Sequence, residues 1–179
     1  MTEIYINKNI FFMKTTVIIT ISANGKILVA DNEKHQAPQE VFNFFMDKAK
    51  SAGNIILGST TYKLFTTIFG LKDFLSALDV VVLSNKLAES SDYKVARSPK
   101  EALDFLKANN HQEAIVLGGV SVYNSFINEG LYDLLYLTLI PILIGDGGDI
   151  ATKNDLFTPL SGMKWEVVTD NVLRVELTK

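Results

Sequence analysis

The residues best suited to chemistry are two consecutive glycines, Gly118 and Gly119, which lie between an apolar strand pattern and a helix pattern. Two glycines let the main chain turn sharply and let another molecule approach the backbone closely. A helix that begins directly after them points its free N–H groups and the positive end of its dipole at that molecule, which suits a phosphate. A tight strand-to-helix turn without a ligand explains these two residues equally well.

Two further segments of the same kind help to decide between these explanations. Gly58-Ser-Thr-Thr61 and Ser84-Asn-Lys86 also follow apolar strand patterns, and they offer hydroxyl groups, a lysine and backbone N–H groups. The carboxyl ends of parallel strands meet at one crevice, so the three segments together predict a groove for a phosphate-rich cofactor. Taken singly, each is also explained by a hydroxyl that caps a helix or by a solvated lysine. The spacing is not that of a G-x-G-x-x-G dinucleotide motif.

The elements that must position these segments alternate along the chain. Apolar, β-branched runs predict strands at residues 15–22, 54–58, 79–84, 93–97, 114–117, 134–143, 164–169 and 172–177. Helix patterns lie between them at residues 38–52, 60–69, 98–109 and from Gly119 to Gly130. The last two strands join as a hairpin at Asp170-Asn171. The pattern predicts a three-layer α/β domain, whose mostly parallel central sheet has helices on both faces and an antiparallel C-terminal hairpin.

Length and composition fit one domain. The chain has 179 residues, of which 47% are hydrophobic and 21% charged. Residues 13–179 are predicted to form this domain, because a second methionine, Met13, directly precedes the first strand. Residues 1–12 are predicted to be an N-terminal extension outside the functional core, and they lack the features of a signal peptide.

The same composition argues against several classes of partner. A net charge of −3 with scattered lysine and arginine argues against nucleic acid as a partner. The absence of cysteine excludes disulfides and cysteine-ligated metals, two histidines argue against a histidine metal site, and a cytoplasmic location is expected. The longest apolar run, residues 134–144, is interrupted by Thr138 and Pro141 and is too short to cross a bilayer.

Four segments occur in an order that is typical of a known superfamily. They are Gly58-Ser-Thr-Thr-Tyr62, Val82-Leu-Ser84, Leu117-Gly-Gly-Val-Ser-Val-Tyr123 and Leu137-Thr-Leu-Ile-Pro-Ile-Leu-Ile-Gly-Asp-Gly147. In this order they resemble the dihydrofolate reductase superfamily, and within it most closely the reductase domain of riboflavin biosynthesis, the RibD C-terminal-like domain. The resemblance covers residues 13–179.

The resemblance implies an enzyme that transfers a hydride from NADPH, or from NADH, to a small pyrimidine- or pterin-like heterocycle. The substrate it implies is 5-amino-6-(5-phosphoribosylamino)uracil or dihydrofolate, and a homodimer is a further expectation. The implied cofactor-binding residues are Gly58, Ser59, Thr60, Thr61, Ser84, Asn85, Lys86, Gly118, Gly119, Val120, Ser121, Val122 and Tyr123.

Two departures from the folate enzymes bear on specificity. Those enzymes usually carry an arginine where this chain has Ser59, and a serine cannot bind the 2′-phosphate of NADPH bidentately. Lys86 is then the expected phosphate contact. The folate enzymes also hold the substrate's glutamate tail with an arginine before the strand at residues 80–83, where this chain has Ser76-Ala-Leu-Asp79. Dihydrofolate is therefore expected to be a poor substrate.

The resemblance in the substrate pocket depends mainly on the residues that begin one helix. Pro38-Gln-Glu40-Val-Phe-Asn-Phe44 resembles the helix that lines the pterin pocket, with Glu40 as the catalytic carboxylate and Phe44 packed against the ring. A solvated polar stripe and an acid favoured in a first helical turn explain Glu40 equally well. His35 replaces the family's tryptophan and is expected to be a loop residue.

The remaining substrate-side candidates are Thr138 and Asn24. Thr138 matches the threonine that supports the family's carboxylate, although it is also an ordinary β-branched strand residue. Asn24, in the turn after the first strand, is a predicted substrate contact. The predicted cofactor groove matches the superfamily better than the predicted catalytic residues do. A non-catalytic nucleotide-binding module or a dimeric scaffold therefore stays open as an alternative to the reductase.

Overall fold

The computed structural model describes residues 12–68 and 70–179. The strands are β1 (Lys14–Ser22), β2 (Asn54–Gly58), β3 (Asp79–Leu83), β4 (Lys94–Ala96), β5 (Glu113–Gly118), β6 (Leu134–Ile140), β7 (Gly162–Thr169) and β8 (Val172–Thr178). The helices are α1 (Gln39–Ala52), α2 (Ser59–Thr67), α3 (Leu71–Ser76), α4 (Pro99–Ala108) and α5 (Val120–Asn128). The predicted extension at residues 1–12 lies outside the described residues except for Phe12, so it stays a prediction.

All eight strands form one sheet in the order β4-β3-β2-β5-β1-β6-β8-β7. The six strands from β4 to β6 in this order are mutually parallel, whereas β8 runs antiparallel to both of its neighbours. This arrangement confirms the predicted α/β fold with its antiparallel C-terminal hairpin. In this strand order the carboxyl ends of β3, β2 and β5 lie side by side.

The two faces of the sheet have separate cores, because neighbouring side chains of a strand point to opposite sides. On β1, Ile18 packs with apolar side chains of α1, α2 and α3, whereas Val17 and Ile19 pack with α4 and α5. The helices therefore cover both faces, as the alternating pattern predicts.

The structure differs most from the sequence prediction at the end of β6 and in one short helix. The strand predicted to reach Leu143 ends at Ile140, because Pro141 has no N–H group with which to continue the ladder. The following segment turns back instead, and the Ile142 carbonyl accepts a hydrogen bond from the Ala23 amide (2.8 Å). The short helix α3 was not predicted, since six residues carry too few periodic positions to be recognised.

Candidate functional site

Three loops meet at the carboxyl edge of the sheet. Gly58 pairs with Leu83 across β2 and β3, and Leu57 pairs with Gly118 across β2 and β5. The segments that follow these three strands are therefore neighbours in space. They are the ones that sequence analysis selected as a cofactor groove.

The two glycines of the β5–α5 turn have different surroundings. Gly118 has a φ of +95°, and a Cβ built on it would lie 2.4–2.6 Å from side-chain atoms of Tyr123. The hydroxyl of Tyr123 donates to the Leu117 carbonyl (2.8 Å), and burial raises the pKa of this phenol. A Cβ on Gly119 would meet only Thr61 Oγ1, at 3.3 Å, among the described residues. Gly118 thus makes room for Tyr123, whereas Gly119 leaves its own backbone open on the groove side.

Two helices begin at this edge without a side-chain cap. Gly58 is the N-cap of α2 and Gly119 is the N-cap of α5, and in the described residues no side chain caps either helix. The interpretation that Ser59, Thr60 or Ser121 is a helix cap is therefore wrong, because these residues lie inside the helices. Free N–H groups of a first helical turn bind phosphate oxygens well.

The valines of the predicted cofactor set face the protein interior. Val122 is buried and approaches Gly58, where a Cβ on the glycine would lie 3.2 Å from Val122 Cγ2. Val120 packs against Gly148 in the same way. Any contact from these two residues to a ligand would thus come from the backbone.

The third loop is held by an arginine that sequence analysis did not select. Ser84 Oγ accepts from the backbone amides of Lys86 (3.2 Å) and Leu87 (3.3 Å). The Arg97 guanidinium donates to the carbonyls of Ser84 and Leu87, the latter at 2.8 Å. Arg97 follows β4, which is the parallel neighbour of β3, and this adjacency is the signal that could have identified it. Two cationic side chains, those of Lys86 and Arg97, therefore lie at this loop.

A cavity of about 360 Å³ lies beside the Gly118–Gly119 turn, between the sheet and helices α1 and α2. Its polar lining residues are Thr20, His35, Gln36, Gln39 and Thr61. Its apolar lining residues are Leu28, Val29, Ala30, Ala37, Phe42, Phe45, Leu64, Phe65, Ile68, Leu117 and Tyr123. No Asp, Glu, Lys or Arg lines it within the part of the chain that the structure describes. A planar ring of neutral charge matches this lining.

His35 is a buried connector of two loops as well as a lining residue. The Val29 amide donates to His35 Nδ1 (3.0 Å), so the ring proton of the neutral imidazole is on Nε2. His35 Nε2 faces Asp146 Oδ1 at 3.1 Å, and this hydrogen bond lowers the pKa of the Asp146 carboxyl. Asn32 Nδ2 donates to the other oxygen of Asp146 (2.9 Å). The aspartate of the Ile144-Gly-Asp-Gly147 motif thus joins the β6–β7 loop to the cavity wall.

Replacement of His35 by phenylalanine should weaken this connection. The variant keeps an aromatic ring but leaves the Val29 amide without its acceptor, so we expect the free energy of unfolding to fall by about 1–3 kcal/mol. Urea denaturation measures the loss, and amide hydrogen exchange should show faster exchange at Val29. The matched variant Asp146→Asn retains a side-chain oxygen that accepts from His35, so its loss should be smaller. An unchanged urea midpoint for His35→Phe would show that the connection does not stabilise the fold.

Helix α1 brings a different flank to the cavity from the predicted one. Its buried stripe, which includes Val41, faces the sheet, and Gln39 and Phe42 on one side of that stripe line the cavity. Glu40 is exposed on the other side. Phe44 also lies there, with its ring 5.1 Å from that of Tyr136 between centroids. The structure does not bring Glu40 or Phe44 to the cavity, because both are on the helix flank that faces away from it.

Thr138 lies in a buried polar row of the sheet rather than in the cavity lining. It pairs with Thr20 of β1 and with Arg174 of β8, and these side chains are 0%, 8% and 6% exposed respectively. Neither threonine hydroxyl has a hydrogen-bond partner among the described residues. Arg174 donates to Glu166 Oε1 (2.7 Å). Of this row, only Thr20 reaches the cavity.

Two other predicted contacts serve the fold in this structure. The Asn24 side chain donates to the Ile144 carbonyl (2.9 Å) and accepts from the Ile144 amide (3.2 Å), so it holds the β6–β7 loop. Asp79 is the first residue of β3 and so lies at the amino ends of the parallel strands, away from the three loops. Its Oδ2 is 2.7 Å from His111 Nε2. Residues 76–79 do not line the cavity, so the predicted meeting of a glutamate tail with Asp79 is not supported.

Residues 12–68 and 70–179 contain neither a cluster of metal ligands nor a helix that could cross a membrane. No group of three His, Cys, Asp or Glu side chains is arranged to hold a metal ion. None of the helices has the length and apolar character that crossing a membrane requires.

Comparison with known families agrees with this arrangement. Residues 14–173 match the RibD C-terminal domain family. The chain belongs to this family. It is 26% identical over 143 residues to the uncharacterized protein YwjB of Bacillus subtilis (strain 168), a match that covers 75% of this chain and 80% of YwjB.

Three solved structures are similar to this RibD C-terminal domain chain. A protein of Shewanella sp. PV-4 named for riboflavin biosynthesis is 22% identical, with a TM-score of 0.67 over 93% of this chain and 98% of that one. A pyrimidine reductase-like protein of Corynebacterium diphtheriae is 16% identical, with a TM-score of 0.67 over 94% and 92%. Dihydrofolate reductase of Enterococcus faecalis, complexed with NADP(H) and RAB-propyl, is 18% identical, with a TM-score of 0.68 over 93% and 97%. These likenesses show a reductase-like fold.

Proposed function

We propose that this RibD C-terminal domain protein is a reductase that transfers a hydride from NADPH, or less favourably from NADH, to a small neutral heterocycle. The observation that carries the proposal is the position of the 360 Å³ cavity directly beside the Gly118–Gly119 turn and two uncapped helix N-termini. This arrangement offers one place for a ring and an adjoining place for a dinucleotide. Thr61 lines the cavity and also lies beside Gly119, so it would border both places.

The three loops would each hold a different part of the cofactor. The first-turn N–H groups of α2 and α5 suit the pyrophosphate, and the open backbone at Gly119 suits the ribose that leads into the cavity. The loop at Ser84–Lys86 suits the adenosine end. When bound, the cofactor supplies the hydride. The protein contributes position and exclusion of water, through the apolar walls formed by Phe42, Phe65 and their neighbours.

The neutral lining restricts the substrate. A glutamate tail or a ribose phosphate finds no cation in the described lining, and a buried unpaired charge is costly. The neutral lining of the cavity is therefore a reason to expect that dihydrofolate is a poor substrate. Gln39, Gln36 and Thr20 can donate to and accept from the amide-like edge of a heterocycle. Since Glu40 lies outside the cavity, we assign the proton that accompanies the hydride to water.

Oxidation of NADPH and NADH against a substrate panel tests this function. The panel contains dihydrofolate, the aminopyrimidine ribosyl phosphate and its dephosphorylated form, and cofactor binding is measured separately by fluorescence. We expect the dephosphorylated compound to be reduced with the highest kcat/KM. Failure to bind either nicotinamide cofactor would overturn the proposal.

A nucleotide-binding module without turnover is the second candidate. The lack of a carboxylate in the described cavity lining favours it, because a reductase of an amino-heterocycle commonly uses an acid to protonate the ring. Tight cofactor binding without oxidation across the panel would select this candidate.

Cofactor preference should depend on Lys86. If Lys86 contacts the 2′-phosphate, Lys86→Ala should weaken NADPH binding about tenfold, which corresponds to about 1.4 kcal/mol, and should leave NADH binding nearly unchanged. Fluorescence titration with both cofactors measures the difference. The exposed Lys107, in the last turn of α4, provides a matched Lys107→Ala control that should change neither affinity. An equal loss for both cofactors would assign the 2′-phosphate contact to another group, with Arg97 as the first alternative.

A further inference from the structure

The turn after β1 contains the only Asn-Gly pair of the chain, Asn24-Gly25. Both residues are exposed, and Gly25 has a φ of +80° with no atom within 4 Å of a built Cβ among the described residues. The backbone nitrogen that follows an asparagine can attack the side-chain carboxamide, and a glycine leaves this nitrogen unshielded because it has no Cβ. The pair is therefore the position of the chain best suited to spontaneous deamidation.

Hydrogen bonds hold both of the groups that would react. The Asn24 side chain donates to the Ile144 carbonyl (2.9 Å), and its Oδ1 accepts from the Ile144 amide (3.2 Å) and from Ser22 Oγ (2.8 Å). The Gly25 amide donates to the Ser22 carbonyl (2.9 Å). Attack requires the Gly25 nitrogen and the Asn24 carboxamide to leave these hydrogen bonds. Contact with the β6–β7 loop, which carries Ile144, therefore protects the pair.

We propose that Asn24 is a site of spontaneous deamidation, that the β6–β7 loop sets its rate, and that the modification releases this loop. In the first step the Gly25 nitrogen bonds to Asn24 Cγ, the Cγ–Nδ2 bond breaks, and ammonia leaves with the proton of the Gly25 amide. This step closes a succinimide ring. Water then adds to either ring carbonyl and opens the ring, which gives an aspartate or an isoaspartate at position 24. The net reaction consumes one water and releases one ammonia, without oxidation or reduction.

The product cannot restore the contact with the loop. A carboxylate at position 24 has no N–H group, so the Ile144 carbonyl loses its donor and faces another acceptor. Two residues further along the loop, Asp146 is hydrogen-bonded to His35, which is a buried residue of the cavity lining. The modification thus removes one anchor of a loop that is joined to the cavity wall. The proposal does not depend on hydride transfer.

Mass spectrometry of the full chain measures the reaction, because each event replaces an amino group by a hydroxyl group. Folded protein and protein unfolded in guanidinium chloride are incubated side by side at mildly alkaline pH, and peptide mapping locates the product. We expect aspartate and isoaspartate at position 24 in both samples. The folded protein should react at least about tenfold more slowly, since its reaction waits for local opening. In the unfolded chain Gly25→Ala should slow the reaction, because the methyl group shields the nitrogen.

Two histidine variants test whether the loop sets the rate. His35→Phe removes the hydrogen bond to Asp146, so the loop should open more often and the folded protein should be modified about fivefold faster. His111→Phe is the matched control, since it removes a similar contact, 2.7 Å between His111 Nε2 and Asp79 Oδ2, at the amino ends of the strands. This control should leave the rate unchanged.

The effect on the loop is measured with Asn24→Asp, which reproduces one of the two products. Amide hydrogen exchange at residues 144–148 should be faster in this variant than in the wild type. Exchange in the central strands should stay the same, because the loop opens locally while the sheet remains intact.

Four results would overturn the proposal. Folded protein that stays unmodified at position 24 after the unfolded chain has reacted completely would show that the turn is closed to the reaction. Equal rates in folded and unfolded protein, or in His35→Phe and His111→Phe, would show that the loop does not set the rate. Unchanged exchange at residues 144–148 in Asn24→Asp would show that the modification does not release the loop.

Discussion

Replacement of Gly119 by valine is expected to abolish NADPH binding while the protein remains folded. Among the described residues, a Cβ built on Gly119 would meet only Thr61 Oγ1, at 3.3 Å, so the fold can accept a side chain there after a small shift of the Thr61 side chain. A valine side chain would instead fill the space in which the cofactor must approach the protein backbone. We expect an affinity loss of at least about a hundredfold, or about 2.7 kcal/mol.

A second glycine provides the control for this result. A Cβ on Gly162, at the start of β7, would lie 3.4 Å from Thr178 Oγ1, which is a spacing close to that at Gly119. Gly162→Val should therefore cost similar stability without any change in NADPH affinity. Fluorescence titration and thermal unfolding of both variants give the comparison. Undiminished NADPH binding by folded Gly119→Val would contradict the cofactor groove.

Replacement of the adjacent Gly118 by alanine is expected to destabilise the whole fold. With a φ of +95°, this position strains any other residue, and the new Cβ would lie 2.4 Å from Tyr123 Cζ. Backbone strain and overpacking each cost about 1–3 kcal/mol, so we expect the free energy of unfolding to fall by about 2–6 kcal/mol. Urea denaturation measures this loss.

A variant at Gly25 separates the cost of backbone strain from the cost of the clash with Tyr123. It has a φ of +80° and has no atom within 4 Å of a built Cβ among the described residues, so Gly25→Ala measures the backbone strain alone. The difference between the two alanine variants reports the clash with Tyr123. If both variants lose the same stability, the contact with Tyr123 is relieved by a small movement and does not constrain position 118.

The strands and caps of this fold follow from local chemistry. β-branched runs predict β1 and β3, because such residues fit a pleated surface that is buried on both faces. The Ser98-Pro-Lys-Glu101 pattern predicts the start of α4, and Ser98 Oγ accepts from the Glu101 amide (3.2 Å). Glu101 Oε2 accepts from the Arg97 amide (2.8 Å), one residue earlier than the ideal capping box. Features of this kind depend on a few adjacent residues, so the sequence contains all the information that they need.

The sequence also selected three loops that the structure places side by side, because a parallel sheet brings the carboxyl ends of its strands together. It could not place Arg97 beside Ser84, since that contact depends on β4 lying next to β3.

Helix α1 shows that only the tertiary structure decides which flank of a helix faces the cavity. Sequence periodicity correctly identified a buried stripe through Val41 and Ala49, but a helix has two flanks beside such a stripe. The pattern cannot tell which flank faces a cavity, because both flanks are equivalent until α2 packs along one of them. The packing of Phe42 against Phe65 of α2 places Gln39 in the cavity wall and leaves Glu40 in solvent. By itself the sequence thus determined the long helices and the strands, their order and the three loops at the strand ends. Only the packing of α1 between the sheet and α2 decided which side chains reach the cavity, because that contact joins residues far apart in the chain.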